Sequence, residues 1–133
     1  MDIVSTEKTY SPQQLALAKL GDFCSKLRLD MALEKRAQAD LESALHAAGL
    51  EFEREKPLSK RDIPDFLVKV EGITVALELK TRAQRKAIFR QLERYSEHGM
   101  VDCLLLMTGT AMGLPSTING KPAAVVSMGG GWL

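Results

Sequence analysis

The sequence predicts an α/β fold, a mixed β-sheet flanked by helices with elements in the order α-α-β-β-β-α-β-β. Residues 22–48 repeat their apolar positions every three to four residues, the helical period, apart from one ten-residue stretch of small or polar side chains. From residue 51 the pattern changes to short apolar runs, two of them joined by Glu71-Gly72. A helical period then returns over 83–97 and gives way to VDCLLLMT, a run apolar enough for the middle of a sheet. A hairpin followed by a crossover helix and another buried strand makes the sheet mixed.

The elements follow in order. Ser11-Pro12 is a helix start, with Ser as N-cap and Pro in the first turn. A helix runs to about Leu20 and presents Leu15, Leu17 and Leu20, and Gly21 breaks or bends it. A longer helix is expected over 22–48, through Phe23, Leu27, Met31, Leu41 and Leu45, with Gly49 closing it. Strands follow at 51–55, 65–70 and 73–80. After the helix at 83–97 come a strand in VDCLLLMT, a loop GTAMGLPSTING, a strand PAAVVSM and a tail GGGWL.

A chain of 133 residues is one domain's worth. Apolar content of 45% and charged content of 26% are those of a globular protein, and no apolar run reaches the ~18 residues a membrane helix requires. The opening MDIVSTEKTY lacks the pattern of an export signal, so a cytoplasmic setting is expected. Cys24 and Cys103 lack metal-ligand spacing and read as buried or half-buried thiols. His46 and His98 sit near helix ends and take no catalytic role.

Charge is distributed unevenly. Residues 27–55 carry a net −3, while residues 80–94, with Arg82, Arg85, Lys86 and Arg90, carry a net +5. These are either two solvated faces that complement each other or a phosphate-binding strip beside an acidic centre. Lys56, Lys60 and Arg61 could touch nucleic acid or only keep their loop wet, and Trp132 could stack on a base or pack on the domain.

The chemistry concentrates in the first hairpin. Asp65 follows Pro64 at a strand start, and Glu78 interrupts the apolar run ITVALELK. Lys80, two residues on, leaves the same face as Glu78. If the strands pair about Glu71-Gly72, opposed residue numbers sum to about 143 and Asp65 faces Glu78. Opposed like charges destabilise a sheet, and a divalent cation compensates them. Two carboxylates and a backbone carbonyl such as that of Leu79 are hard oxygen ligands suited to Mg²⁺, with Lys80 beside the phosphate. A lone Glu-x-Lys is more often a surface salt bridge. The apolar setting and the preceding Pro-Asp reverse that preference.

The string IPDFLV, the twelve residues between Asp65 and Glu78, and ELK resemble the PD-(D/E)XK nuclease superfamily. The segment QLERY, which sets Gln91 and Tyr95 one helical turn apart, is similar to the Gln-x-x-x-Tyr motif of its RecB-like exonuclease branch. The resemblance covers roughly 80 residues. It implies a restriction-endonuclease-like core, with residues 1–26 a helical extension and residues 27–133 a single nuclease domain. It also implies hydrolysis of DNA phosphodiester bonds with Mg²⁺ or Mn²⁺. On that basis Asp65, Glu78 and Leu79 are the candidate metal ligands, Lys80 the candidate catalytic cation, and Gln91 and Tyr95 supporting residues on the crossover helix. The family's acidic residue on the first core helix falls best on Glu42, with Glu34, Gln38 and Glu55 as rivals. Arg82, Arg85, Lys86 and Arg90 would contact DNA. Size resembles that of phage or mobile-element nucleases and Holliday-junction resolvases, which implies DNA recombination, repair or processing in a bacterial or phage-infected cell. Residues 12–20 are the candidate contact for a homodimer. A nucleic-acid-binding module that keeps the fold without turnover is the alternative.

Overall fold

A computed structural model describes residues 9–82 and 84–128. Trp132 and the glycine-rich tail therefore lie outside the described residues. Among the described residues the chain is α/β, with a mixed six-stranded sheet and three helices. The helices are α1 (Pro12–Ser25), α2 (Glu34–Ala47) and α3 (Arg85–Ser96). The strands are β1 (Glu51–Arg54), β2 (Phe66–Val70), β3 (Ile73–Lys80), β4 (Cys103–Thr108), β5 (Thr117–Ile118) and β6 (Lys121–Ser127), in spatial order β1-β2-β3-β4-β6-β5. β3, β4 and β6 run parallel, and the other neighbours pair antiparallel. None of the described helices is long and apolar enough to cross a membrane.

The central strands are apolar on both faces because both faces are covered. Val75, Leu77 and Leu79 of β3 join Leu105 and Met107 of β4 under α1 and α2. Ala76, Leu104 and Leu106 point the other way, toward Ile88, Leu92 and Tyr95 of α3. Glu78 shares the parity of Ala76, so its carboxylate enters the α3 face.

The helical boundary expected at Gly21 is displaced. Gly21 lies inside α1, and the chain breaks instead between Ser25 and Glu34. A glycine costs about 1 kcal/mol relative to alanine in a helix, and the burial of Leu17, Leu20 and Cys24 on the sheet outweighs it. At the true break Asp30 takes the Ala32 N–H at 3.1 Å and gives its own N–H to Asp40 at 2.9 Å, contacts incompatible with a continuous helix. α1 is therefore no appendage: Leu17 and Leu20 sit in the same core as Leu41 of α2. Of the three leucines expected to need a cover, Leu15 alone is exposed.

The ends that the residues announce are built as expected. Ser11 and Gln14 form a reciprocal capping box. Gly49, at φ +71°, closes α2 with paired bonds from its own N–H to His46 and from Leu50 to Leu45, a Schellman motif. Glu71 and Gly72 both take positive φ in the two-residue turn joining β2 to β3. The expected loop at 109–120 hides one further element: Asn119-Gly120 makes a second such turn and folds Thr117–Ile118 onto β6 as β5.

Candidate active site

β2 and β3 pair with Phe66 opposite Leu77 and Val70 opposite Ile73, so opposed numbers sum to 143. Asp65 and Glu78 occupy the next step, where regular pairing ends and side chains replace it. The Asp65 N–H donates to Glu78 Oε1 at 2.9 Å, and the Leu79 N–H donates to Asp65 Oδ2 at 2.8 Å. Each carboxylate is thus braced by the backbone of the other's strand. Leu79, expected to offer its carbonyl, meets Asp65 through its N–H, while its side chain is buried on the opposite face.

Lys80 Nζ lies 3.2 Å from Glu78 Oε2. Its side chain is 26% exposed and that of Glu78 only 1%, so the pair stands at the boundary between core and solvent. Burial and the nearby Asp65 charge push the Glu78 carboxyl up to about 7, against the pull of Lys80 and two hydrogen bonds. Asp65 is also raised, by burial first, with the Leu79 N–H and Lys80 opposing. For Lys80, burial works against the charged form, but the Glu78, Asp65 and Glu34 carboxylates outweigh it and raise the ammonium's pKa.

Gln91 and Tyr95, which the motif resemblance rather than their spacing points to, lie against Glu78. The Gln91 Nε2 donates to Tyr95 Oη at 2.8 Å. Tyr95 Oη lies 3.0 Å from Glu78 Oε1 and 3.1 Å from the Ile63 carbonyl, two acceptors for one phenolic proton. A protonated Glu78 resolves the conflict, because it can donate to Tyr95 while Tyr95 donates to Ile63. Burial and the Glu78 charge keep the phenol itself firmly protonated.

The candidates for the first-helix position lie in different surroundings. Glu34, at the start of α2, accepts the Thr81 N–H at 3.3 Å and acts electrostatically on both Asp65 and Lys80. Glu42, the best match by spacing, is instead paired with Arg54 at 3.1 Å, as is Gln38 at 3.4 Å. Arg54 stacks over the Phe66 ring at 4.8 Å. Glu55, at φ +50°, lies 3.8 Å from the same guanidinium. Breaking the helix at 26–33 is what brings Glu34 to the site.

Two residues went unnoticed in the sequence. Asp62 is buried and accepts from Arg94 Nε and contacts His98 Nε2, both at 2.9 Å, fastening the segment that carries Ile63 and Asp65 onto the end of α3. Its two partners hold its carboxyl below the usual range, the His98 hydrogen bond foremost. Half-buried partners distant in sequence, for an acid in a polar loop, leave no periodic signal. The other is Gly109, where a Cβ would sit 2.8 Å from the Thr81 carbonyl oxygen. Its N–H donates to the Lys80 carbonyl at 3.0 Å, so β4 closes on β3 beside the site.

Of the four basic candidates, Arg85, Lys86 and Arg90 line one open trough and Arg82 does not. Cys24 and Cys103 are buried and unpaired, with burial raising both thiols, to about 12 and about 11. His46 packs edge-on against Phe52.

Among the described residues no three His, Cys, Asp or Glu side chains converge as a metal site. Asp65 and Glu78 nevertheless form a fitting pair of hard oxygen donors. Asp65 Oδ1 takes no hydrogen bond among the described residues, and Glu78 Oε2 faces only Lys80. Two carboxylates that resist simultaneous ionisation accept either a proton or a cation between them. Compared with known proteins, the chain matches no family model and no curated sequence.

Proposed function

We propose that this chain is a metal-dependent nuclease with a restriction-endonuclease-like core of the PD-(D/E)XK kind, hydrolysing DNA phosphodiester bonds. The observation that carries the reading is the mutual bracing of Asp65 and Glu78 beside Lys80. Two carboxylates and an amine converge at the half-buried end of a central strand, in an arrangement that costs stability unless it serves a charge.

Asp65 and Glu78 would hold Mg²⁺ or Mn²⁺, which when bound supplies polarisation of the phosphate and acidification of water. Lys80 supplies fixed positive charge where negative charge builds on the phosphoryl oxygens. In hydrolysis a water oxygen bonds to phosphorus, one P–O ester bond breaks, and the departing oxygen gains a proton. Tyr95 and Gln91 orient Glu78 and shield its inner oxygen. Glu34 holds the Thr81 N–H and so positions the chain immediately after Lys80. The basic strip Arg85, Lys86 and Arg90 would attract the polyanion.

The test is a panel of linear, single-stranded, flapped and branched DNA, with RNA alongside, incubated with Mg²⁺ or Mn²⁺. Cleavage by the wild type that disappears in Asp65→Ala and in Lys80→Ala supports the assignment. Cleavage undiminished in both variants contradicts it. Salt-dependent DNA binding with no cleavage of any substrate would favour a binding module on the same fold.

A further inference from the structure

We infer that the trough beside α3 is a binding site for single-stranded DNA, with Phe89 as a platform for one base and Lys86 and Arg90 as its phosphate contacts. The inference rests on the nuclease reading for the choice of DNA.

The trough is an open cavity of about 800 Å³ between the first turns of α3 and the segment after β4, lined by Arg85, Lys86, Phe89, Arg90, Ala111 and Met112 among others. A second depression of about 730 Å³ shares Arg85, Lys86, Arg90 and Ala111 with it, so the two are continuous. Both walls start at the proposed site. α3 begins five residues after Lys80, and the opposite wall follows Gly109, whose N–H holds the Lys80 carbonyl. A ligand in the trough therefore lies outside the carboxyl ends of parallel strands, where open α/β sheets place ligands. The Arg85 guanidinium bridges the walls by donating to the Ala111 carbonyl at 3.3 Å.

Charge selects a polyanion. Among the described residues no acidic side chain lines either part of the trough. Among the described residues, Arg85, Lys86 and Arg90 have no ion pair with a carboxylate, unlike Arg54, which has two, and Arg94, which has one. Between the cations lie a half-buried phenyl ring and a thioether, those of Phe89 and Met112. A duplex presents phosphates and groove edges but keeps its base faces stacked inside, so it gains nothing from an apolar floor. A single strand presents both phosphates and base faces, and stacking on an aromatic ring is tolerant of sequence.

The experiment is fluorescence anisotropy on the full chain in EDTA, with labelled oligo-dT, a hairpin duplex of equal length, and oligo-rU as competitor. Oligo-dT should bind about tenfold or more tighter than the duplex, and tighter than oligo-rU. Phe89→Leu, which keeps an apolar side chain, should weaken oligo-dT binding roughly 5- to 150-fold, the range of one lost stack, and leave duplex binding unchanged. Phe89→Tyr should bind as the wild type does, which separates loss of the ring from damage to the fold. Lys86→Gln with Arg90→Gln should flatten the salt dependence by about 1.4 in slope. Equal affinity for duplex and single strand, unchanged binding by a folded Phe89→Leu, or tighter binding of oligo-rU would each overturn the inference. Failure of the nuclease reading looks different: preferential binding of a single strand that the wild type leaves uncut in Mn²⁺ keeps the trough and removes the hydrolysis.

Discussion

Asp65 gives its backbone N–H to Oε1 of Glu78 at 2.9 Å, and the residue after Glu78 returns a bond to the Asp65 carboxylate. The two acids are therefore fixed by main chain and cannot swing apart to relieve their repulsion. Lys80, 3.2 Å from Glu78, offsets part of that repulsion, and a proton or a bound cation would relieve the rest.

That constraint makes metal-free stability depend on pH. Glu78 is raised from its ordinary value to about 7, so the folded state binds more protons than the unfolded state between those values. Its stabilising contribution is fully present below the unfolded value and is lost as pH rises through about 7. Thermal unfolding in EDTA should show greater stability near pH 5.5 than near pH 8, by about 2 kcal/mol. Glu78→Gln should flatten the curve in this window. A flat wild-type profile would contradict the account.

Asp62 behaves in the opposite sense. Its folded value is depressed, so it stabilises the fold above its unfolded value and that contribution fades as pH drops through the folded one. Asp62→Asn should cost about 1–3 kcal/mol at neutral pH, because Arg94 and His98 lose a buried partner. It should also loosen the segment carrying Ile63 and Asp65, measurable as faster amide exchange at residues 62, 63 and 65. Stability unchanged by the substitution would show that Asp62 fastens nothing.

Two glycines should respond with opposite signs. At Gly21 a Cβ meets nothing within 4 Å, so Gly21→Ala should stabilise α1 by about 0.5–1 kcal/mol. At Gly109 a Cβ would press on the Thr81 backbone at 2.8 Å, so Gly109→Ala should destabilise by about 1–3 kcal/mol. The latter should also lower cleavage, since it displaces the chain beside Lys80. Denaturant titration of both variants checks the pair.

Glu34 and Glu42 can be told apart by kinetics. Glu34→Gln removes a charge that acts on Asp65 and Lys80, and cleavage should fall about tenfold or more. Glu42→Gln removes an ion pair with Arg54 and should leave turnover within about twofold while reducing stability by at most ~1 kcal/mol. The reverse ranking would restore the assignment made by spacing.

The pattern of what could be read in advance has a physical logic. The hairpin register was legible because Glu71-Gly72 fixes the pairing and one slipped residue would bury the wrong face. From that register the meeting of Asp65, Glu78 and Lys80 follows, and the four-residue spacing of Gln91 and Tyr95 delivers their contact. The break between α1 and α2 was misplaced because Gly21 looks like a stronger breaker than Asp30, yet burial decided the matter. Spacing to Gly49 and Asp65 favours Glu42, whereas Glu34 is the residue that reaches the Thr81 N–H. β5 was overlooked although Asn119-Gly120 announces a hairpin, because a strand of two residues has no periodicity to detect. Asp62 and Gly109 depend on contacts 32 or more and 28 residues away in sequence, which no local pattern encodes.

The most direct test of the central claim is calorimetric titration of the full chain with Mn²⁺ near pH 7. One ion should bind per chain with release of protons, and the double variant Asp65→Ala/Glu78→Gln should bind none. Undiminished binding by that variant, or no binding by the folded wild type at millimolar Mn²⁺, would contradict it.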